Sequence, residues 1–389
     1  MQKLIIKKGR EKPLLAKHHW IFSGAISKMP SCEAGSLVIV ESEEGRRLGI
    51  ATTNPKGSLA ARMIAFGDSS AEEAIDQAII DSVNLRQSLV ASSETNAYRL
   101  INGEGDRLPG LIVDRYDQHL VIQVGTHGME KLKPYLIKSL LKACPDTVSI
   151  MEKSDLPTRK QEGLEPFTGP LFGHTPAIVP IKENGHHFLI NILEGQKTGF
   201  FLDQRPMRQL IGQLSHERTV LNCFSYTGGF SIYALQGGAR KVRSVDISKK
   251  AIQSIDDNLA ANQLQATRHE GICRDVFEFL KEDRLDDDIV ILDPPAFAKK
   301  KEDVVNACRG YKEINRTALK KMKKGSLLLT ASCSYHVDET LFQQVIFQAC
   351  SEAMRNVKII TKHQQAIDHA VNIYHKEGEY LKSLLLYID

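Results

Sequence analysis

The sequence predicts an α/β protein whose C-terminal half is a mostly parallel sheet covered by helices on both faces. Three observations predict it. From Thr219 onward, short apolar runs alternate with helical segments, the pattern of a parallel sheet with crossover helices. The last two strand-like runs, 357–361 and 380–388, have no helix between them and pair only as an antiparallel hairpin. The first 72 residues read as short β segments divided by turns, a small barrel rather than a continuation of the sheet. At 389 residues the chain is long for one core, and three domains are expected, over 1–72, 73–180 and 181–389.

Taken in order, the β segments of the first part are 3–7, 36–41, 47–51 and 59–65, with turn signals at Glu44-Gly45 and at Asn54-Pro55-Lys56-Gly57. A helix over 71–89 follows, with Ala74, Ile75, Ala78, Ile79 and Val83 as its apolar stripe. The stretch 99–110 reads as an ordered loop through Gly103, Gly105 and Pro109. Strands at 111–114, 120–124 and 148–151 and a helix over 131–143 complete a central α/β unit. Between Leu156 and Pro180, eight prolines and glycines predict a linker. In the last part the strands are 220–224, 242–246, 289–293 and 327–330. The helices are 230–236, 248–262, 273–281, 304–322 and 339–354.

Composition excludes several classes. Hydrophobic residues at 42% and charged residues at 25% describe an ordinary globular chain. No apolar run reaches the ~18 residues of a membrane span. The first residues lack a signal-peptide pattern, so a cytoplasmic location is expected. The seven cysteines are scattered without a Cys-x-x-Cys pair, which suggests neither a disulfide framework nor a metal site. The net charge of +4 is unevenly spread: residues 1–30 carry seven Lys/Arg against Glu11 alone, and residues 299–324 carry ten against three acids. Two basic segments on a chain otherwise net acidic suit a polyanion. Lys7, Lys8, Arg10 and Lys12 in the first, and Lys299, Lys300, Arg309 and Lys312 in the second, are the candidate RNA contacts.

Candidate ligand residues recur at successive strand ends. Phe224-Ser225-Tyr226-Thr227-Gly228-Gly229 forms a tight turn after the first strand of the regular sheet, where glycine lets backbone approach a ligand. Asp246 ends the next strand and suits the two hydroxyls of a ribose, while Asp275 suits an adenine amino group. These residues point to an adenosine-containing cofactor without separating methyl transfer from hydride transfer. Asp293-Pro294-Pro295-Ala296-Phe297 makes the separation, because an acid fixed by two prolines at a strand end marks methyltransferases of nucleobases. S-adenosyl-L-methionine is then the cofactor. Cys333, in Ser332-Cys333-Ser334 after the next strand, falls beside Asp293. A thiolate there suits C5 of a pyrimidine, which is not nucleophilic until sulfur adds at C6. Asp293 would stabilise charge on the pyrimidine edge. Cys308 reads as a packing residue with a second active-site cysteine as the alternative, and Cys223 reads as structural.

These residues resemble those of bacterial 23S ribosomal RNA cytosine-5 methyltransferases of the large-subunit methyltransferase I type. The matches include Lys8-Gly9-Arg10-Glu11-Lys12, Trp20-Ile21-Phe22-Ser23-Gly24-Ala25, Lys197-Thr198-Gly199-Phe200-Phe201-Leu202-Asp203-Gln204-Arg205, Cys308-Arg309-Gly310-Tyr311-Lys312 and Tyr380-Leu381-Lys382. The resemblance implies an N-terminal PUA domain, a central α/β domain and a Rossmann-like class I methyltransferase domain with an antiparallel last strand. It also implies large-subunit ribosomal RNA as partner, and a homodimer is compatible with it. Gln204 and Arg205 would contact the methionine part of the cofactor, Arg205 its carboxylate. Trp20 and Phe22 would pack the barrel. Ala296 stands where many other RNA cytosine-5 methyltransferases carry a second cysteine. Two rival readings are a guanine-N methyltransferase of ribosomal RNA, which needs no cysteine, and a non-catalytic RNA-binding protein.

Overall fold

The computed structural model describes residues 1–298 and 300–389. They form two compact units, one of residues 1–181, 190–202 and 367–378, the other of residues 182–189, 203–366 and 379–389.

The first unit opens with β1 (Gln2–Ile6), α1 (Lys12–Leu15), β2 (Trp20–Phe22), β3 (Ile26–Lys28), β4 (Leu37–Ser42), β5 (Arg47–Thr53) and β6 (Leu59–Phe66). These strands make one six-stranded sheet in the order β2-β6-β5-β4-β1-β3, in which only β1 and β4 run parallel. Strand alternation explains its core: Val38 and Val40 of β4 and Leu4 and Ile6 of β1 are fully buried while their neighbours are not. It also corrects the packing expected of two aromatics. Ile21 takes the inward position of β2, so Trp20 and Phe22 project to the other face, Phe22 with half its surface exposed.

Next come α2 (Ala71–Leu89), β7 (Ala97–Asn102), β8 (Leu111–Tyr116), β9 (His119–Val124), α3 (His127–Ala143), β10 (Ser149–Ser154), α4 (Pro157–Glu162) and β11 (Phe167–Gly173). A reciprocal capping box between Ser70 and Glu73 starts α2, whose buried face is Ile75, Ala78, Ile79 and Val83. The five strands order as β11-β10-β9-β8-β7. Two sequence expectations fail here. The stretch 99–110 begins inside β7 and only then turns. The linker expected over 156–180 is structured as α4, β11 and the start of β12. Its prolines and glycines sit where secondary structure tolerates them. Pro157 is the first residue of α4, Gly163 closes that helix at φ +79°, and Pro170 lies on the sheet's edge strand.

A hairpin of β12 (Ile178–Glu183) and β13 (His186–Asn191) follows, its residues 182–189 belonging to the second unit. That unit contains α5 (Arg205–Leu214), β14 (Thr219–Cys223), α6 (Gly229–Gln236), β15 (Lys241–Asp246), α7 (Lys249–Ala261), β16 (His269–Cys273) and α8 (Val276–Glu282). It continues with β17 (Ile289–Leu292), α9 (Val304–Lys321), β18 (Leu327–Ser332), α10 (Glu339–Glu352), β19 (Val357–His363) and β20 (Lys382–Ile388). Its seven-stranded sheet runs β16-β15-β14-β17-β18-β20-β19, with the first five strands parallel and β20 antiparallel to both neighbours. The closing hairpin therefore forms, with β20 inserted between β18 and β19. All four residues of β17 are fully buried, as a central strand covered on both faces requires. Strand order reverses at β14, which places the ligand crevice of the sheet at the carboxyl ends of β14, β15 and β17. No helix among the described residues is long and apolar enough to cross a membrane.

Candidate active site

The turn after β14 is wound tightly around its own backbone. Phe224, Tyr226 and Gly228 have φ of +58°, +46° and +80°, and Gly228 N–H donates to Ser225 O at 2.8 Å. A Cβ on Gly228 would lie 2.9 Å from Ile255 of α7, so only glycine fits this position. Asn258, fully buried on α7, donates to Thr227 O at 2.9 Å and fixes the turn from behind.

Asp246 is held from both sides. Its Oδ2 accepts from Tyr226 N–H at 3.0 Å and its Oδ1 from Ser248 N–H at 2.9 Å. Each carboxylate oxygen keeps a further lone pair for a ligand hydroxyl. Asp275 caps α8 by accepting from Glu278 N–H at 3.1 Å, and it stays half-buried at the carboxyl end of β16. Phe224, Phe277 and Phe297 make a run of partly buried rings along the strand ends, with centroids 6.4 and 6.0 Å apart.

Gln204 and Arg205 start α5 and are both buried, but they face different partners. Gln204 Nε2 donates to Asp293 Oδ1 at 3.0 Å. Arg205 Nε meets Glu183 Oε2 at 3.2 Å, so the carboxylate it reaches belongs to the chain itself. Glu183 also takes two bonds from Arg208, at 2.8 and 2.7 Å, and one from Tyr233 at 3.0 Å. This buried cluster positions α5, and through it Gln204.

Several polar atoms around the crevice are buried without a partner among the described residues: Ser225 Oγ, Thr227 Oγ1, Asn222 Oδ1, Gln204 Oε1 and Thr330 Oγ1. Such atoms are costly unless a ligand satisfies them. A donor-rich adenosine cofactor with an amino-acid tail fits that set.

Cys333 follows β18, and its Sγ lies 3.9 Å from Pro294 O, the carbonyl just past Asp293. The parallel register of Leu292 with Thr330 brings the two loops together. The turn carrying Cys333 is pinned on each side. Ser334 Oγ accepts from Ala298 N–H at 3.0 Å and bonds the buried Tyr311 hydroxyl at 2.9 Å, and Ser334 N–H reaches Ser332 Oγ at 3.3 Å. Lys382 Nζ, almost fully buried at the start of β20, donates to Ser334 O at 2.7 Å. Cys308 packs against the core with its thiol pushed up by burial, and Cys223 is wholly buried, so neither competes with Cys333. Tyr311, Asn258 and Lys382 were not legible as site residues, because each reaches the crevice from a distant element.

The basic candidates divide. Lys7, Lys8, Arg10, Lys12, Lys300 and Arg309 are exposed. Lys8 pairs with Glu44 at 3.0 Å and Lys300 with Glu302 at 3.4 Å, both loose surface contacts that an anion can displace. Lys312 is half-buried against Glu352 at 2.7 Å and is the most committed of the set. Lys299 lies outside the described residues.

His18, His375 and Glu377 bring one ligating atom each within 4.8 Å. His375 Nε2 accepts from His19 N–H at 2.8 Å, so the neutral ring carries its proton on Nδ1 and offers a cation no lone pair there.

The sheet, the glycine turn and the strand-end acids define an S-adenosylmethionine-dependent methyltransferase, and comparison with known proteins agrees. Residues 169–353 match the family described as S-adenosylmethionine-dependent methyltransferase, and residues 4–66 match a PUA-like domain. The chain is 39% identical to the ribosomal RNA large subunit methyltransferase I of Pseudoalteromonas translucida, and 39% identical to that of Escherichia coli K12, over 98% of both chains in each case. A putative methyltransferase from Streptococcus mutans superposes with a TM-score of 0.84 at 25% identity, covering 99% of this chain and all of the other. A putative methyltransferase complexed with SAH gives 0.85 at 26%, with the same coverage. The chain belongs to the ribosomal RNA large subunit methyltransferase I family.

Proposed function

We propose that this protein methylates C5 of a cytosine in 23S ribosomal RNA through a transient bond between Cys333 and C6 of the base. The observation that carries the reading is the placement of Cys333 Sγ 3.9 Å from Pro294 O, beside Asp293, at the carboxyl ends of adjacent parallel strands. The ribosomal substrate is supported by relatives named for the large subunit at 39% identity over nearly the whole chain.

When bound, S-adenosylmethionine supplies an electrophilic methyl group. Asp246, held by two backbone N–H groups, takes the ribose hydroxyls, and the unpartnered Ser225, Thr227 and Gln204 oxygens take donors of the cofactor. Cys333 sulfur adds to C6, which makes C5 an enamine carbon able to accept the methyl group. The C5 proton then leaves, and elimination returns the thiolate. Asp293, oriented by Gln204, stands where charge develops on the pyrimidine edge. We read residues 1–72 as the RNA-binding domain, 73–180 as a central α/β domain and 181–389 as the methyltransferase.

Cys333→Ala should abolish turnover while leaving calorimetric S-adenosylmethionine binding intact. Mass-spectrometric mapping of ribosomal RNA from cells with and without this gene should show one 5-methylcytosine lost. Full activity of Cys333→Ala, or loss of a methylated guanine instead, would assign the site to attack by a ring nitrogen.

A further inference from the structure

Lys382 is a buried amine that makes no ion pair with a carboxylate among the described residues. Only 7% of its surface is exposed, and no acid lies within ion-pair distance of it among the described residues. Two of its N–H bonds go to backbone carbonyls, Ser334 O at 2.7 Å and Tyr380 O at 2.7 Å. The antiparallel pairing of Ser332 with Lys382 fixes the nitrogen against the turn that carries Cys333. A buried cation without a counter-charge is costly, which asks what anion this site is built to hold.

We propose that Lys382 is the positioning cation of Cys333, holding its sulfur as a thiolate ready for attack. The inference rests on Cys333 being the nucleophile. In the paired state Sγ carries the negative charge and Nζ carries the proton, two N–H bonds staying on the carbonyls and the third turning to sulfur. Proton transfer from S–H to a neutral amine, or loss of the thiol proton to water beside an ammonium, reaches the same pair. Burial lowers the Lys382 pKa to about 8, against the opposing pull of Cys333 first and Asp338 second. The lysine is thus brought close to the ordinary thiol value of about 8.5, the condition for sharing a proton. The contrast within the same unit is informative: burial raises the Cys308 thiol and, against a backbone hydrogen bond, pushes that of Cys350 up to about 11.

Other charged groups face the amine from neighbouring elements. Asp338 caps α10, and Glu339, Lys362 and His363 share with Lys382 the lining of a cavity of ≈ 390 Å³. Glu339 and Lys362 pair at 2.9 Å, and burial holds His363 towards its neutral form. Cys333 remains the dominant titrating partner.

The test is the pH dependence of Cys333 alkylation by iodoacetamide, followed on its own peptide by mass spectrometry in the full-length protein. Wild type should react with a midpoint below the ordinary thiol value of about 8.5. Lys382→Met should raise that midpoint and slow alkylation at pH 7 about tenfold or more, the equivalent of one pH unit. Lys382→Arg should restore much of it. In turnover, Lys382→Met should lower kcat and move the acid limb of the pH profile upward, with KM for S-adenosylmethionine unchanged. A wild-type midpoint at or above the ordinary value would overturn the proposal, and that measurement decides even if the methionine variant does not fold. So would a folded Lys382→Met protein with an unshifted midpoint. Alkylation needs neither RNA nor turnover, so it fails separately from the nucleophile assignment, which stands or falls on Cys333→Ala.

Discussion

At the scale of single residues, the site depends on groups that fix backbone as well as on the polar groups that face the crevice. Gly228 makes this measurable. Alanine there must adopt φ +80° and approach Ile255 to 2.9 Å. Gly228→Ala should therefore cost ~1–3 kcal/mol of stability, read by denaturant unfolding, and should weaken SAH binding in calorimetry. Unchanged affinity would mean that the turn does not shape the cofactor site. The acids at the strand ends were readable because each follows an apolar run directly. Asp246 and Asp293 declare themselves by position, and Cys333 by the strand before it. Lys382 does not. Its relation to Cys333 exists only because β20 returns antiparallel to β18, a pairing that no local pattern encodes. The same holds for Arg205, whose guanidinium meets Glu183 at 3.2 Å, a partner that charge type alone does not name.

Between elements, the parallel sheet was legible because its central strands are uniformly apolar, and the errors lie where that signal fades. β16 reads His-Glu-Gly-Ile-Cys, and its bounds have no apolar run to mark them before Asp275, since an edge strand with exposed positions need not be apolar. The supposed linker was misread because proline was counted as a breaker at positions where it costs little. Two contacts that join elements give predictions. Glu183 compensates the buried guanidiniums of Arg205 and Arg208, so Glu183→Ala should cost roughly 3–5 kcal/mol and reduce cofactor affinity by releasing α5. A loss below 1 kcal/mol, on the order of a surface pair, would contradict that role. Asp288 ties the start of β14 to β17. Partial burial raises its pKa, but Lys323 at 2.6 Å and Thr219 N–H at 2.8 Å outweigh it and bring it to about 2. A depressed carboxylate stabilises the fold above its unfolded pKa of about 3.9, and that contribution disappears as pH falls through about 2. Wild type and Asp288→Asn should thus differ in stability at pH 6 and converge towards pH 2. Equal stability at pH 6 would remove the linkage.

Over the whole molecule, net positive charge is concentrated in two segments, and Lys7, Lys8 and Arg10 of the first lie in the turn between β1 and α1, with Lys12 opening α1. If RNA binds there, affinity should fall steeply with salt. Replacing Lys7, Lys8, Arg10 and Lys12 with alanine should flatten the log–log slope by about 0.7 per phosphate contact removed. A slope unchanged by those substitutions would place RNA binding elsewhere. Family membership fixes the cofactor and the reaction class. The pyrimidine carbon and the covalent route rest on Cys333. The most direct measurement is therefore incubation of the protein and S-adenosylmethionine with ribosomal RNA containing 5-fluorocytosine, whose C5 substituent cannot leave as a proton. The account predicts a denaturation-resistant protein–RNA adduct that maps to Cys333 and is lost in Cys333→Ala. Methylation of that RNA without any adduct would contradict it.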